Sequence, residues 1–382
     1  MSSYQTIVLS GGGAKGPYGL GVLLALEKWH IEHAKKITKI YCGTSVGALN
    51  ATLAAQGQLT ELDALYARLQ TKDILGTNKS SVNKFAMMWA AKRKPFHYFD
   101  NRALRATIGQ SADFERLKDA HLLVCATNYT TGDLETFYSS ELVDQFVAED
   151  QALPRERQRL SNYHRINDQD ELINALLAST AIPFYFPPVK IGDSLYVDGG
   201  VGNNTPLRQA AYISRFLNRR NEKTEPTFCV INDPSRFSID STHPNDIFGI
   251  IRRTLDLFHN ELVSDAVISW RRINDEVSRL ASRKSVLSSQ ISGLDEVTPE
   301  RRASLLQNLE DAFDGQNAAA PRCELPIEVV RPSIQLLDDI MNFDPSIAKH
   351  LKRHGIADCL SLLLHRNYIS HNDHRRWNEN IQ

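Results

Sequence analysis

Residues 43–50 read Gly43, Thr44, Ser45, Val46, Gly47, Ala48, Leu49, Asn50, and they follow an apolar run that starts at Thr38. A run this short that ends on glycine predicts a buried strand over Thr38 to Gly43. The small residues from Val46 to Ala55 predict a helix that stops near Gly57. Ser45 therefore falls on a strand-to-helix turn. A nucleophilic serine needs such a sharp turn to expose its hydroxyl, and the flanking Gly43 and Gly47 relieve crowding between strand and helix.

Upstream the same arrangement occurs once more. Tyr4 to Ser10 reads as a buried strand, Gly11 to Gly16 as a glycine-rich turn (GGGAKG), and Pro17 as an early helical residue before Leu20, Leu23, Leu24 and Trp29. Strand, helix, strand, helix at this spacing predicts an α/β fold: a three-layer sandwich with a mostly parallel central sheet covered by helices. The glycine run lets the backbone approach a ligand and aim amide N–H groups at negative charge. A dinucleotide site requires an acidic residue about 20 positions on, at the end of the second strand, which here ends in Tyr41, Cys42 and Gly43, and Pro17 stands where a P-loop has lysine. A plain tight turn competes with the anion-binding reading.

Downstream, His121 to Thr127 predicts a strand, Gly132 a turn, and residues up to Phe137 a returning strand. Glu171 to Ser179 predicts a helix ended by the prolines of AIPFYFPP. Leu195 to Val197 is a short strand stopped by Asp198, Gly199 and Gly200, which places the Asp198 carboxylate at the mouth of the sheet, where open α/β sheets bind ligands. A simple Asp-Gly turn is the competing reading. Thr60 with Asp63 suggests a capping box, and Thr205 with Pro206 a helix start. Phe228 to Ile231 and Leu325 to Arg331 are further strand candidates. Ile247 to about Ile291 is helical by pattern, and the charged, Ser- and Gln-rich stretch around 276–320 is expected to be a mobile insertion. The chain thus divides into an α/β core over 1–235, which carries the candidate motifs, and a mostly helical C-terminal extension over 236–382, packed on the same core.

Composition narrows the function. Hydrophobic residues make up 42% of the 382 positions and charged residues 23%, and 44 basic against 45 acidic side chains leave a net charge of -1. Near-neutrality argues against nucleic acid as a partner. No apolar stretch is long enough to span a membrane, and the first residues do not read as a secretory signal. The five cysteines are scattered without a CxxC pair, which fits reduced core thiols in a cytoplasmic protein and no metal site. The histidines at 243, 259, 350, 354, 365, 371 and 374 are too poorly framed to nominate one as a base. Residues 85–94, FAMMWAAKRK, put apolar side chains beside three cations and suggest peripheral contact with an anionic membrane; a core-packed helix with a basic end competes.

Taken together, GGGAKG at 11–16, GTSVGALN at 43–50 and DGG at 198–200, in that order, resemble the patatin-like phospholipase family. ATNYTTGDLETF at 126–137, ASTAIPFYFPP at 178–188 and VGNNTPL after the DGG extend the resemblance over about residues 5–235. Lys15 stands where the family more often has arginine, and Ser10 where many members have aspartate. The resemblance implies a lipid acyl hydrolase acting on glycerophospholipids or related esters without a cofactor. It further implies Ser45 as nucleophile, Asp198 as general base, an oxyanion hole at Gly11, Gly12, Gly13 and Ala14, and support from Lys15, Gly16, Gly43, Gly47, Gly199 and Gly200. Two rivals are carried forward: an acyltransferase or non-lipid esterase on the same fold, and a nucleotide-regulated signalling or effector module. The sequence names no oligomeric state.

Overall fold

The structure, a computed structural model, describes residues 3–33, 36–77, 99–152, 162–235, 247–294, 297–314, 324–337 and 339–379. Its strands are β1 Ser3–Leu9, β2 Ile37–Thr44, β3 His121–Asn128, β4 Leu134–Ser139, β5 Tyr163–Arg165, β6 Val189–Ile191, β7 Ser194–Asp198, β8 Thr227–Val230 and β9 Ile327–Val330. They form one sheet in the order β5-β4-β3-β2-β1-β8-β9, with β7 joined to β3 and β6 to β7. The central pairs β3–β2, β2–β1, β1–β8 and β8–β9 are parallel, whereas β4 and β7 run antiparallel to β3.

The first helices are α1 Gly16–Glu32, α2 Val46–Ala55, α3 Leu59–Tyr66, α4 Thr71–Leu75, α5 Arg102–Ser111, α6 Glu141–Gln151 and α7 Gln169–Ser179. They are followed by α8 Gly200–Asn203, α9 Leu207–Arg219, α10 Ile247–Ser292, α11 Pro299–Asp314, α12 Pro345–His365 and α13 His371–Glu379. Alternation along the strands sorts the core into two faces. Ile7, Leu9, Tyr41 and Val124 pack with α1, α2, α3, α5, α7 and α12. Val8, Ile40, Cys42 and Leu123 pack with α6, α9 and α10. This is the expected three-layer α/β sandwich with a mostly parallel sheet. Cys42, Cys125, Cys229 and Cys359 are buried free thiols, and burial pushes Cys125 and Cys229 up to about 12, so they act as small core hydrophobes.

The strand candidates at 228–231 and 325–331 join this same sheet as β8 and β9. The C-terminal helix α12 crosses α1 at close range: a Cβ on Gly355 would lie 2.0 Å from the Tyr18 carbonyl oxygen, and one on Gly21 would lie 2.1 Å from that of Lys352. Lys352 also pairs with Asp63 at 2.6 Å. The stretch expected to be a mobile insertion is instead helical over most of its described part, in the end of α10 and in α11. Its Ala, Glu, Arg and Gln are good helix formers and its helical segments contain no interior Pro or Gly, so propensity outweighs polarity. Helix α3 starts at Leu59 without the Thr60 capping box, which the chain uses instead at Gln70 and Asp73. Helix α9 starts after Pro206 with no side-chain cap from Thr205. Among the described residues no helix is long and apolar enough to cross a membrane. The segment 85–94 lies outside the described residues.

Candidate active site

Register along β3 brings Ser45 and Asp198 together. One edge of β3 is taken by β4, so β2 and β7 must share the other. Thr44, the last residue of β2, pairs with Cys125, and Asp198, the last residue of β7, pairs with the next residue, Ala126. The two strands therefore meet end to end, and the residue leaving β2 faces the end of β7. Ser45 Oγ donates to Asp198 Oδ2 at 2.7 Å. The other carboxylate oxygen accepts from the Gly200 amide at 2.7 Å.

Ser45 caps α2 with φ 54 and ψ -128, a conformation that costs a non-glycine residue roughly 1–3 kcal/mol. Its own amide holds it there by donating to Ser179 Oγ at 2.9 Å, and the Ser179 hydroxyl donates to the Cys125 carbonyl at 2.6 Å. Glycines make the turn sterically possible. A Cβ on Gly47 would lie 2.3 Å from the Leu9 oxygen, one on Gly43 2.4 Å from the Gly47 oxygen, and one on Gly199 2.3 Å from the Cys125 oxygen. Gly16 likewise leaves room for Tyr66 Oη and Val46, and Asn50 ties the loop by donating to the Gly16 carbonyl at 2.8 Å.

Both members of the pair are buried, each 5% exposed. Burial pushes the Asp198 carboxyl up to about 7, against the bonds from Ser45 and the Gly200 amide that lower it. A carboxylate tuned near neutrality is a far better base for a hydroxyl than one at its ordinary value.

The glycine loop sits beside this pair, and the structure narrows its expected set of anion donors. The Gly11 amide donates to the Asn204 carbonyl at 3.0 Å and the Ala14 amide to the Ile340 carbonyl at 2.7 Å, so both are already engaged. Gly12 and Gly13 keep their amides without an acceptor among the described residues, and Gly13 adopts φ 55, which glycine tolerates without strain. Of the four residues expected from the resemblance, Gly12 and Gly13 are thus the two whose amides have no acceptor among the described residues.

Residues after β8 hold the loop in place. Asn232 donates from its side chain to the carbonyls of Ser10 at 2.9 Å and Gly11 at 3.1 Å, while its amide donates to Ser10 Oγ. Lys15 forms a buried ion pair with Asp233 at 2.5 Å. Sequence reading stopped at Ile231 and missed Asn232, Asp233 and the Ser179 clamp. The signal available for Ser179 was its place in the ASTAIP stretch.

From Ser45 and Gly13 a narrow apolar cavity runs between the helices, with about 70 Å³ of space that a water-sized sphere can occupy. Val46, Leu49, Leu62, Ile108, Leu176 and Phe186 are among the side chains that line it. A cavity with almost no polar lining beside a buried serine suits a hydrocarbon chain.

Fold and site together define an α/β protein with a serine on a strand-to-helix turn, bonded to a carboxylate beside a glycine-rich loop. The family model described as patatin-like phospholipase matches residues 7–211, and the chain belongs to this family. A probable lipid hydrolase of Invertebrate iridescent virus 6 is 26% identical over 58% of this chain and 67% of its own length. A cGAMP-activated phospholipase of Pseudomonas aeruginosa is 27% identical over 53% of this chain and 54% of its own. The chain thus spans between about half and two thirds of the length of the curated relatives it matches. The crystal structure of VipD from Legionella pneumophila is similar over 94% of this chain and 66% of that one, at 14% identity; its TM-score of 0.35 is too low to carry an argument.

Proposed function

We propose that this protein is a lipid acyl hydrolase that cleaves ester bonds of glycerophospholipids or related lipids through Ser45 and Asp198. The observation that carries the reading is the bond between Ser45 Oγ and Asp198 Oδ2 at 2.7 Å, with Ser45 lining the apolar cavity. Asp198 takes the Ser45 proton as Oγ attacks the ester carbonyl. The resulting oxyanion is met by the Gly12 and Gly13 amides, each such donor being worth about 3 kcal/mol in serine hydrolases. Asp198 then passes the proton to the departing alcohol as the acyl-enzyme forms. Water, deprotonated by the same carboxylate, attacks the acyl-enzyme and releases the fatty acid and free Ser45.

The membership of the patatin-like phospholipase family and the relative named as a probable lipid hydrolase support this reading. The substrate is presented by a lipid surface that the protein touches peripherally. In support, Tyr129, Phe184, Leu195 and Val201 are large exposed apolar residues on β7, in α8 and on the loops at this end of the sheet.

Labelling with a fluorophosphonate, alongside a phospholipid product analysis, tests the proposal. Wild type should label and release fatty acid, whereas Ser45→Ala should do neither. Equal labelling of wild type and Ser45→Ala would remove Ser45 as the nucleophile. Labelling without fatty acid release from lipid would favour an acyltransferase or a non-lipid esterase.

A further inference from the structure

One wall of the cavity comes from a part of the chain that lies far beyond the family-matched residues 7–211. Residues 339–344 form a strap that enters α12, and its Met341 and Phe343 line the cavity together with Ser45 and Gly13. Met341 is 1% exposed, so the side chain is committed to the interior.

Hydrogen bonds fix the strap at both ends. On the glycine-loop side the Ile340 carbonyl accepts from the Ala14 amide at 2.7 Å, and that same oxygen would lie 2.3 Å from a Cβ on Gly13. On the α4 side the Phe343 carbonyl accepts from the Thr71 amide at 3.1 Å, and the Phe343 amide donates to Thr71 Oγ1 at 3.0 Å. Between these anchors the Met341 amide donates to Asp339 Oδ1 at 3.0 Å. Beyond them Asp344 caps α12, accepting from the amides of Ser346 and Ile347. A segment held at both ends and capped into a helix is a fixed wall, with its two apolar side chains facing the space that begins at Ser45.

We propose that Met341 and Phe343 set the cross-section of the acyl cavity and so determine which acyl-chain shapes this protein accepts, favouring straight over kinked chains. The proposal deepens the hydrolase reading and rests on it for the acyl nature of the ligand. Its physical basis is that chain affinity grows about fourfold per buried methylene only while the wall stays in contact with the chain. A cis double bond bends the chain and needs a wider passage. A close-packed wall resists that bend, because packed interiors adjust little.

The test uses the full chain and measures displacement of a fluorescent fatty acid by stearic and by oleic acid, which share a carbon number and differ in shape. Wild type, Met341→Ala and Phe343→Ala are compared, with thermal melting to confirm folding. Phe343 is only partly buried, so its variant keeps the test available if Met341→Ala fails to fold. In the folded variants the stearic-to-oleic affinity ratio should fall by about tenfold, the equivalent of one to two methylenes of contact. An unchanged ratio, or no displacement by either acid in wild type, overturns the proposal. Fluorophosphonate labelling of the same samples, with Ser45→Ala alongside, separates the two ideas. A shifted ratio with labelling that does not depend on Ser45 would keep the wall and reject the hydrolase. Ser45-dependent labelling with an unchanged ratio would do the reverse.

Discussion

The two sides of the cavity are built under different constraints. On one side, Gly11 to Gly16, Ser45 to Gly47 and Asp198 to Gly200 converge from three chain segments, and nearly every position has a steric or chemical reason for its residue type. A Cβ on Gly43, Gly47 or Gly199 would strike backbone at 2.3–2.4 Å, and Ser45 and Asp198 must be a hydroxyl and a carboxylate within bonding reach. On the other side, Met341 and Phe343 need only be apolar and of suitable volume. The chemistry is specified atom by atom, whereas the shape of the cavity is specified by volume, which many sequences can supply. On the proposed reading, catalysis and selectivity can therefore vary independently.

That contrast is broken or upheld first at the reacting pair. Ser45→Ala should lower ester hydrolysis by at least about a thousandfold, measured as kcat/KM on a soluble ester, and Asp198→Ala should do the same. A loss of tenfold or less at either position would mean that the precise side carries no special chemistry. Next in size is the buried ion pair that ties the glycine loop to Asp233, three residues beyond β8. Lys15→Met leaves Asp233 buried without its partner and should cost about 3 kcal/mol in urea unfolding, with activity falling as the loop loosens. The figure sits at the lower end of the range for such losses because Arg331 also acts on Asp233. The double variant Lys15→Met with Asp233→Leu should recover part of the stability but not the activity.

The same contrast explains what could be read from the sequence. The strand-turn-helix units at 3–32 and 37–55, the Ser45 turn and the Asp198 terminus were legible, because glycines at fixed offsets between apolar runs have few structural meanings. The helical stretch from Ile247 was legible from its periodicity. The register that sets β7 end to end with β2 was not, since it depends on β3 pairing with both, and no local pattern records long-range pairing. Nor was the engagement of Gly11 and Ala14, whose acceptors, Asn204 and Ile340, lie hundreds of residues away in the chain. Asn232 and Asp233 follow the FCVI strand candidate, and no local pattern ties them to Ser10, Gly11 or Lys15. Met341 and Phe343 belong to no motif, so nothing local marks them as cavity wall. Short elements such as β5, β6 and α4 exist because their neighbours hold them, which propensity alone does not show.

A smaller effect separates the residue that reacts from the one that positions it. Ser179→Ala removes the acceptor of the Ser45 amide while leaving Oγ and Asp198 in place. An unpaired buried amide costs about 1–3 kcal/mol, so kcat should fall by roughly tenfold to a hundredfold with KM little changed. Ser179→Thr keeps the hydroxyl and should restore part of the rate. If Ser179→Ala instead raised KM alone, the strained turn would not be what the clamp maintains.

The smallest effect is the pH dependence, and it tests the electrostatics of the pair directly. In the proposed reaction Asp198 acts as a base only when ionised, and burial chiefly raises its carboxyl to about 7. The rate should therefore fall tenfold per pH unit below about 7, level off above it, and be half-maximal near 7. A profile that is flat from pH 5 to pH 8 would show either that the carboxyl is not raised or that it is not the base. Stability should move in the opposite direction to activity. The folded value lies above the ordinary 3.8, so the native state holds a proton that the unfolded chain has already released. This group's contribution is complete below about pH 4 and is lost as pH rises through 7, at no more than about 1.4 kcal/mol per unit. Asp198→Asn cannot ionise, so it should abolish both the rate and this slope. The inactive variant would then be more stable than wild type at pH 8 and close to it at pH 4. An equal stability difference at both pH values would place the strain of the site in its backbone turn and not in its buried charge.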